Sequence, residues 1–462
     1  MFINANELQA TMHRISSIAS LDKNQAGILL EKVDNGVRFY YKSQNKAIIN
    51  RVSAVASEDD NITKVFFNYK QFVDVIAYCN TTGGLKVDNV EIKFVPNPDG
   101  SGNAFINVIK YYETVVGEDT VEKQIASNNT YQVGYSTESK INNAQRALLT
   151  YPCDDMFPAD GFNTWDISEF SDLITSTACG DSKMISVTKV FNGAVASHSA
   201  YATYTKQFEA GTIDKTVTFT TSEIKAIIDV LKSTGLSEIN MSTITGANGK
   251  IMATLFYDSD NSISIYIGNI DFIGSKVQQI NTYIKKDYSD FNFNIYSEAF
   301  IDTVSAVTNL SVATDCKIKF VKTDDEKVSA NITVENTGAS INNNYSLICA
   351  NANSKNEIPV GDLVEIKVNS KVLLEMLKAC KGNFIALDVC NTGDRAIRIG
   401  KIDLEQGAKE AASYKLEKVR SENPDMADEF LTQAVSEYVL TPQDKVVYRG
   451  NYIRTACYIN VK

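Results

Sequence analysis

Val217–Leu231 reads VTFTTSEIKAIIDVL. Its first half alternates apolar and polar side chains, the period-two pattern of a strand with one buried face. Ser222 then stands where a helix N-cap belongs, and Glu223 follows beside the positive end of the helix dipole. Ile224, Ile227, Ile228 and Leu231 recur at helical spacing and form one apolar face. The stretch is a short strand that runs directly into an amphipathic helix.

The same unit recurs along the chain, and repeats decide a fold before any single element does. It returns as Phe2–Ala19 (FINANELQATMHRISSIA), Val65–Cys79 (VFFNYKQFVDVIAYC), Trp165–Ala178 (WDISEFSDLITSTA), Phe293–Val307 (FNIYSEAFIDTVSAV) and Ile366–Cys380 (IKVNSKVLLEMLKAC). Asn or Ser stands at the expected caps Asn68, Ser168, Ser297 and Asn369 or Ser370, with Glu169 and Glu298 following as Glu223 does. In the last unit Val372, Leu373, Met376 and Leu377 make the apolar face.

Strand-like text fills the intervals. GILLEKV, VRFYYKS and KAIINRVSAV follow the first helix, separated by Asp34-Asn35-Gly36 and Gln44-Asn45. Asn-Gly is a strong hairpin signal; it returns at Asn192-Gly193, and an acidic turn stands at Asp324-Asp325. Odd helices open a three-strand block and even helices a second block, such as LKVDNVEIKFV with AFINVIKYYE. Two blocks make one domain. The expected division is domain one at 1–113, an insertion and linker at 114–164, domain two at 165–271, a linker at 272–291 and domain three at 292–462. A helical insertion is expected at 405–453, divided by Pro424. The fold class is α+β, three repeated domains with two helices each packed on antiparallel sheets.

Composition agrees. A chain of 462 residues has room for about three domains. With 44% hydrophobic and 22% charged residues it is globular rather than disordered or fibrous. No run of apolar residues suggests a membrane span, and MFINANELQATMHR lacks a basic region followed by an apolar run, so no secretory signal is expected. The 8 Cys form no C-x-x-C pair and there are 2 His, which argues against a zinc site and for free thiols in a reducing compartment. A net charge of −11 argues against nucleic acid wrapped around the outside, while leaving room for a local basic surface.

Catalytic constellations are weak. His198 has Ser197 and Ser199 beside it, but neighbours on a strand point to opposite faces. His13 lies on the first helix without a companion ligand four residues away. Gly83-Gly84 and Gly100-x-Gly102 are turn glycines, because no helix with a P-loop Lys-Ser/Thr follows. Asp154-Asp155 reads as a loop and Asp59-Asp60 as a turn. No enzyme activity, metal or cofactor is expected.

With the repeat on the page, the chain resembles the bacterial-type DNA sliding clamp, the beta-subunit-like processivity factor of replicative DNA polymerase. Lys64–Cys79 (KVFFNYKQFVDVIAYC) looks like the segment entering the second helix of that family's first domain. Tyr151–Pro158 (YPCDDMFP) is similar to the L-P-x-x-D-F-P text that ends it. Ala196–Ala200 (ASHSA) sits where the family often has D-G-H-R-L, and only His198 matches. The chain is longer than a typical member, with the excess at Thr114–Leu149 and Glu405–Ile453. That divergence and the Asn- and Tyr-rich composition suggest a phage protein, acting in the cytoplasm of a bacterial host.

The resemblance implies a head-to-tail homodimer that closes into a ring around double-stranded DNA and tethers a DNA polymerase, after placement by a clamp loader. No membrane is involved. The implied DNA-contacting residues on the inner helices are Arg14, Lys70, Lys225, Lys232, Lys371, Lys378 and Lys381. The third and fifth helices carry Glu169, Asp172, Glu298 and Asp302 and no base, so the sixth is the clearly basic one. By position the partner-peptide pocket would involve His198, Ser199, Thr220, Ile224, Tyr458 and Ile459. The alternatives are a clamp-fold scaffold or a transcription or repair tether that does not encircle DNA, and a β-rich phage structural protein.

Overall fold

The computed structural model describes the chain except residues 26, 44, 56–61, 81–83, 116–120, 147–161, 178–182, 190–194, 199–201, 207–212, 214, 261, 271–281, 287, 289, 311–314, 323–327, 335–343, 348, 351–359, 383, 392, 394, 403, 439–454 and 461–462. Asp59-Asp60, Gly83, Tyr151–Pro158 with Asp154-Asp155, Asn192-Gly193, Ser199 and Asp324-Asp325 lie outside the described residues.

The elements come in three rounds of one order. The first round is β1 (Phe2–Asn4), α1 (Ala5–Ala19), β2 (Ile28–Val33), β3 (Gly36–Lys42), β4 (Lys46–Val55), β5 (Lys64–Phe67), α2 (Tyr69–Ala77), β6 (Asn89–Pro96), β7 (Ser101–Val115) and β8 (Val121–Ser136). The second is β9 (Asn163–Asp166), α3 (Ile167–Thr175), β10 (Met184–Lys189), β11 (Val195–His198), β12 (Ala202–Lys206), β13 (Val217–Thr220), α4 (Thr221–Ser233), β14 (Glu238–Thr245), β15 (Ile251–Tyr257) and β16 (Ile263–Gly268). The third is β17 (Phe291–Tyr296), α5 (Ser297–Leu310), β18 (Asp315–Lys322), β19 (Val328–Val334), β20 (Asn344–Leu347), β21 (Cys349–Ala350), β22 (Gly361–Asn369), α6 (Ser370–Ala379), β23 (Phe384–Cys390), β24 (Ala396–Ile402), α7 (Leu404–Glu422), α8 (Asp428–Glu437) and β25 (Thr455–Asn460). Helices α7 and α8 fall in the expected helical insertion, with Pro424 between them.

Local chemistry sets each strand-to-helix corner. Asn4 Oδ1 accepts from the Asn6 and Glu7 N–H groups, and Asn68 Oδ1 accepts from Gln71 N–H. Asn369 Oδ1, not Ser370, accepts from Lys371 and Val372. Two caps fall earlier than expected. Asp166 rather than Ser168 accepts from Glu169 N–H at 2.8 Å. Thr220 rather than Ser222 caps α4, with Glu223 returning to the Thr220 N–H to complete a capping box. At α4 the reason is spacing: Glu223 at the third helical position closes the box, so Ser222 lies inside the first turn. Ser297 is itself the first residue of α5.

Contacts gather the chain into two compact units, Met1–Phe170 with Phe219–Ile270, and Ser171–Thr218 with Asp271–Lys462. The first holds an antiparallel twelve-stranded sheet in the order β1-β6-β7-β8-β5-β2-β3-β4-β16-β15-β14-β9. Phe2↔Val55 and Ile3↔Ala54 join β1 to β4, so the first round closes on itself. Its hairpin at Asp34–Gly36 has Asn35 at φ 58°, the left-handed geometry that Asn tolerates. Phe67 stacks on Phe72 at 4.3 Å inside this round, and Trp165, Phe170, Phe219 and Phe256 fill the core of the next.

The second unit holds a nine-stranded sheet, β13-β10-β11-β12-β25-β24-β23-β17-β21, and a four-stranded sheet, β20-β19-β18-β22. Phe293 stacks on Phe320 at 4.2 Å in its core. Cys79, Cys316, Cys380 and Cys390 are buried thiols outside any disulfide. Burial pushes the Cys79 and Cys316 thiols up to about 12, as expected of small core side chains. Among the described residues, no helix is long and apolar enough to cross a membrane.

Candidate nucleic-acid interface and partner pocket

In the first unit α1 packs against α4. Arg14 sits at that contact, half-buried. Its Nε donates to Ser233 Oγ at 3.1 Å, Nη2 to Ser233 O at 2.6 Å and Nη1 to Asn50 Oδ1 at 2.9 Å. Burial lowers its pKa from the ordinary value, although a guanidinium stays charged. Every nitrogen of Arg14 therefore serves an internal acceptor, and the side chain clips two helices together. Beside it, His13 Nε2 approaches Asp229 at 3.1 Å, and Ser17 Oγ donates to the same carboxylate.

Lys225 and Lys232 lie on the exposed side of α4, and Lys70 is exposed on α2. Thr220 is used as the cap of α4, and Ile224 is fully buried at 0% exposure. Glu223, also buried, meets Lys46 at 3.5 Å, a pair the sequence did not reveal because its partners lie far apart in the chain.

In the second unit α5 packs against α6. Lys371, Lys378 and Lys381 are all exposed. Lys378 Nζ lies 3.2 Å from Glu375 one turn back, and Lys381 Nζ lies 3.8 Å from Glu298 of α5. Such exposed pairs are each worth about 0–1 kcal/mol, so the ammonium groups remain available to a stronger anion. Of the acids singled out, Asp172, Glu298 and Asp302 are exposed and Glu169 is half-buried. A cavity of about 310 Å³ is lined by Asp172, Thr175, Ser176, Tyr204, Glu375 and Lys378. It has a mixed polar wall.

Two of the expected pocket residues of this unit, His198 and Tyr458, lie on one row of the nine-stranded sheet, with Ile459 on the next. Ser186 pairs with His198, His198 with Thr203, Thr203 with Tyr458, Tyr458 with Arg398, Arg398 with Asp388, and Asp388 with Asn292. Tyr458 and Ile459 are buried at 8% and 3% exposure. Tyr458 packs on Tyr288 with ring centres 5.7 Å apart, and Tyr283 and Ile284 pack against the same cluster. Thr220 and Ile224 belong to the other unit.

Arg398 and Asp388 were missed from sequence. Arg398 Nε and Nη2 both donate to Asp388 Oδ2, at 3.0 and 2.7 Å, and Asn292 Nδ2 donates to Asp388 Oδ1 at 2.8 Å. Asp388 is fully buried, and the guanidinium lies over the Tyr288 ring at 5.2 Å. The signal was present as the acid Asp388 in FIALDVC and the base Arg398 between two isoleucines in AIRIGKI, opposite charges within apolar strand text.

The fold is that of the bacterial sliding clamp. The chain is similar to the DNA polymerase III beta chain of Streptococcus pneumoniae (13% identity, 87% of this chain and 96% of that one, TM-score 0.58). It is likewise similar to the DNA polymerase sliding clamp of Bacillus subtilis (11%, 87% and 95%, 0.58) and to the Helicobacter pylori beta clamp bound to a DNA ligase peptide (12%, 86% and 96%, 0.56). No family model and no curated protein matches the sequence.

Proposed function

We propose that the chain is a DNA sliding clamp: two copies associate head to tail into a ring that encircles duplex DNA and tethers a polymerase. Three clamp domains per chain, divided as the sequence suggests, would supply six to the ring. One observation carries this reading. The fourth strand of a round joins the eighth strand of the next, twice, counting β20 and β21 together as the fourth strand of the third round. β4 pairs with β16 from Lys46↔Ile267 to Asn50↔Ile263, and β12 pairs with β25 from Ala202↔Ile459 to Lys206↔Thr455.

A fourth strand in the third round and an eighth strand in the first are left over. The register identifies the free edge. The helix-capping positions pair as Asn4↔Asn89, Asp166↔Glu238 and Tyr296↔Phe384. Counting outward from these, Ile106↔Tyr131, Phe256↔Ile265 and Ile399↔Cys457 are equivalent pairs. Asn129–Val133 of β8 is thus the counterpart of Ile263–Ile267 and Thr455–Ile459. Among the described residues its second edge pairs only at Tyr135 and Ser136. A second copy bringing β20 to the β8 edge would make a junction of the same kind, and two such contacts would close a ring.

The function is topological, so no catalysis is needed. The tether raises the polymerase's effective concentration at the primer end. Lys70, Lys225, Lys232, Lys371, Lys378 and Lys381 would supply weak phosphate contacts compatible with sliding, and Arg14 would hold α1 against α4. The row from His198 to Tyr458 and Ile459 would form one wall of the site for a partner's apolar peptide, as a ligase peptide binds the Helicobacter clamp. A loader would be a separate protein. The test is retention on linear DNA whose ends are blocked after the protein has threaded on. A ring stays on blocked DNA in high salt and escapes from free-ended DNA; equal loss from both would leave the non-encircling tether.

A further inference from the structure

The turn between the seventh and eighth strands differs sharply among the rounds. In the second round Asp258–Ser262 suffices between Tyr257 and Ile263. The equivalent interval of the first round is Val108–Asn128, most of it continuing the β7–β8 ladder beyond its counterpart as a two-stranded arm. The arm is not a loose loop. Lys123 meets Asp88 at 2.6 Å and lies over the Tyr111 ring, and Lys86 and Tyr111 exchange backbone hydrogen bonds at 2.7 and 3.0 Å. Its outer strand, Val121–Ala126, is exposed on both faces. Apolar side chains stand in solvent there: Ile125 is 70% exposed and Val121 53%, with Ile109 and Tyr112 on the facing strand.

The register says what this arm meets. At the internal junction of the first unit, pairing runs one step past Asn50, where Arg51 N–H donates to Ser262 O at 2.6 Å, and then the neighbouring strand turns away. Arg51 is the residue opposite Arg38, and its third-round counterpart is Asn344, opposite Asn331. The caps Asn68 and Asn369 fix that equivalence through Ile28↔Phe67 and Cys316↔Val368. Where the first round's eighth strand meets a fourth strand, its partner does not turn away. A seam in the register of this junction would bring Asn128, Ser127 and the residues before them opposite Asn344–Leu347.

We propose that the Val108–Asn128 arm is a seam-lengthening device between two copies of this chain. Its β8 edge extends the ladder onto β20 of the second copy and brings the exposed Ile125 and Val121 into that seam. The proposal rests on the ring reading. It predicts a subunit seam longer than either internal junction, and hence a ring that opens slowly.

The test replaces Val108–Asn128 with the second round's own turn, Asp258–Ser262, which the fold already accepts at the equivalent place. Dimer dissociation is measured by sedimentation on the full chain and the variant, with thermal unfolding as the folding control. The expected result is a dimer weaker by about tenfold or more at an unchanged unfolding midpoint. Ile125→Asp and Val121→Asp together should weaken it in the same direction without shortening the chain. An unchanged dissociation constant in both variants overturns the arm proposal and leaves the ring. A parent chain that is monomeric throughout overturns the ring and the arm with it.

Discussion

Arg14 on α1 and Lys371 on α6 look alike in sequence, each a base in an inner-helix unit of the same repeat. In three dimensions they differ. Arg14 gives all of its nitrogens to Ser233 and Asn50, whereas Lys371 is exposed on a helix whose other bases have only exposed acids nearby. Arg398 is bound by a full charge instead, its side chain 17% exposed against the fully buried Asp388. The difference teaches that a cation on a repeated helix carries no message by itself. Its hydrogen-bond acceptors decide whether it is part of the scaffold or available to phosphate.

Substitutions can break that comparison at either end. The largest effect is expected from Asp388→Ala, which leaves the largely enclosed Arg398 without its carboxylate and should cost about 3–5 kcal/mol in denaturant-measured stability. A loss below about 1 kcal/mol would mean the pair is open to water. Arg14→Met should cost about 1–3 kcal/mol by stranding the Asn50 and Ser233 acceptors, with retention on DNA changed no more than the lost stability explains. A selective loss of DNA retention in that variant would return Arg14 to the interface. The smallest effect on stability is expected from the triple change Lys371→Glu, Lys378→Glu and Lys381→Glu, within about 0.5 kcal/mol. The same variant should bind DNA more weakly and with a shallower salt dependence, by roughly 0.9 in slope for each lost phosphate contact. An unchanged slope would remove α6 from the interface.

Much of the fold was legible because its signals are local. Ile224, Ile227, Ile228 and Leu231 share a face within one helix, and Asn68 and Asn369 cap within three residues. The caps of α3 and α4 were read two residues late, because Ser168 and Ser222 are equally good cap residues by type and only the geometry of Glu169 and Glu223 selects Asp166 and Thr220. Features made by distant pairing were not legible. The closure of β4 on β1, the Glu223–Lys46 contact and the Arg398–Asp388 pair each join residues that no periodicity connects. The candidate bases were easy to find and hard to sort, since exposure and internal acceptors are properties of the packed molecule.

The central claim is that two chains close into a ring by repeating the junction between β4 and β16. Class averages of single particles of the purified protein test it most directly. The account predicts a six-lobed ring with a central hole wide enough for a hydrated DNA duplex, and compact monomers without a hole, persisting at every concentration imaged, would contradict it.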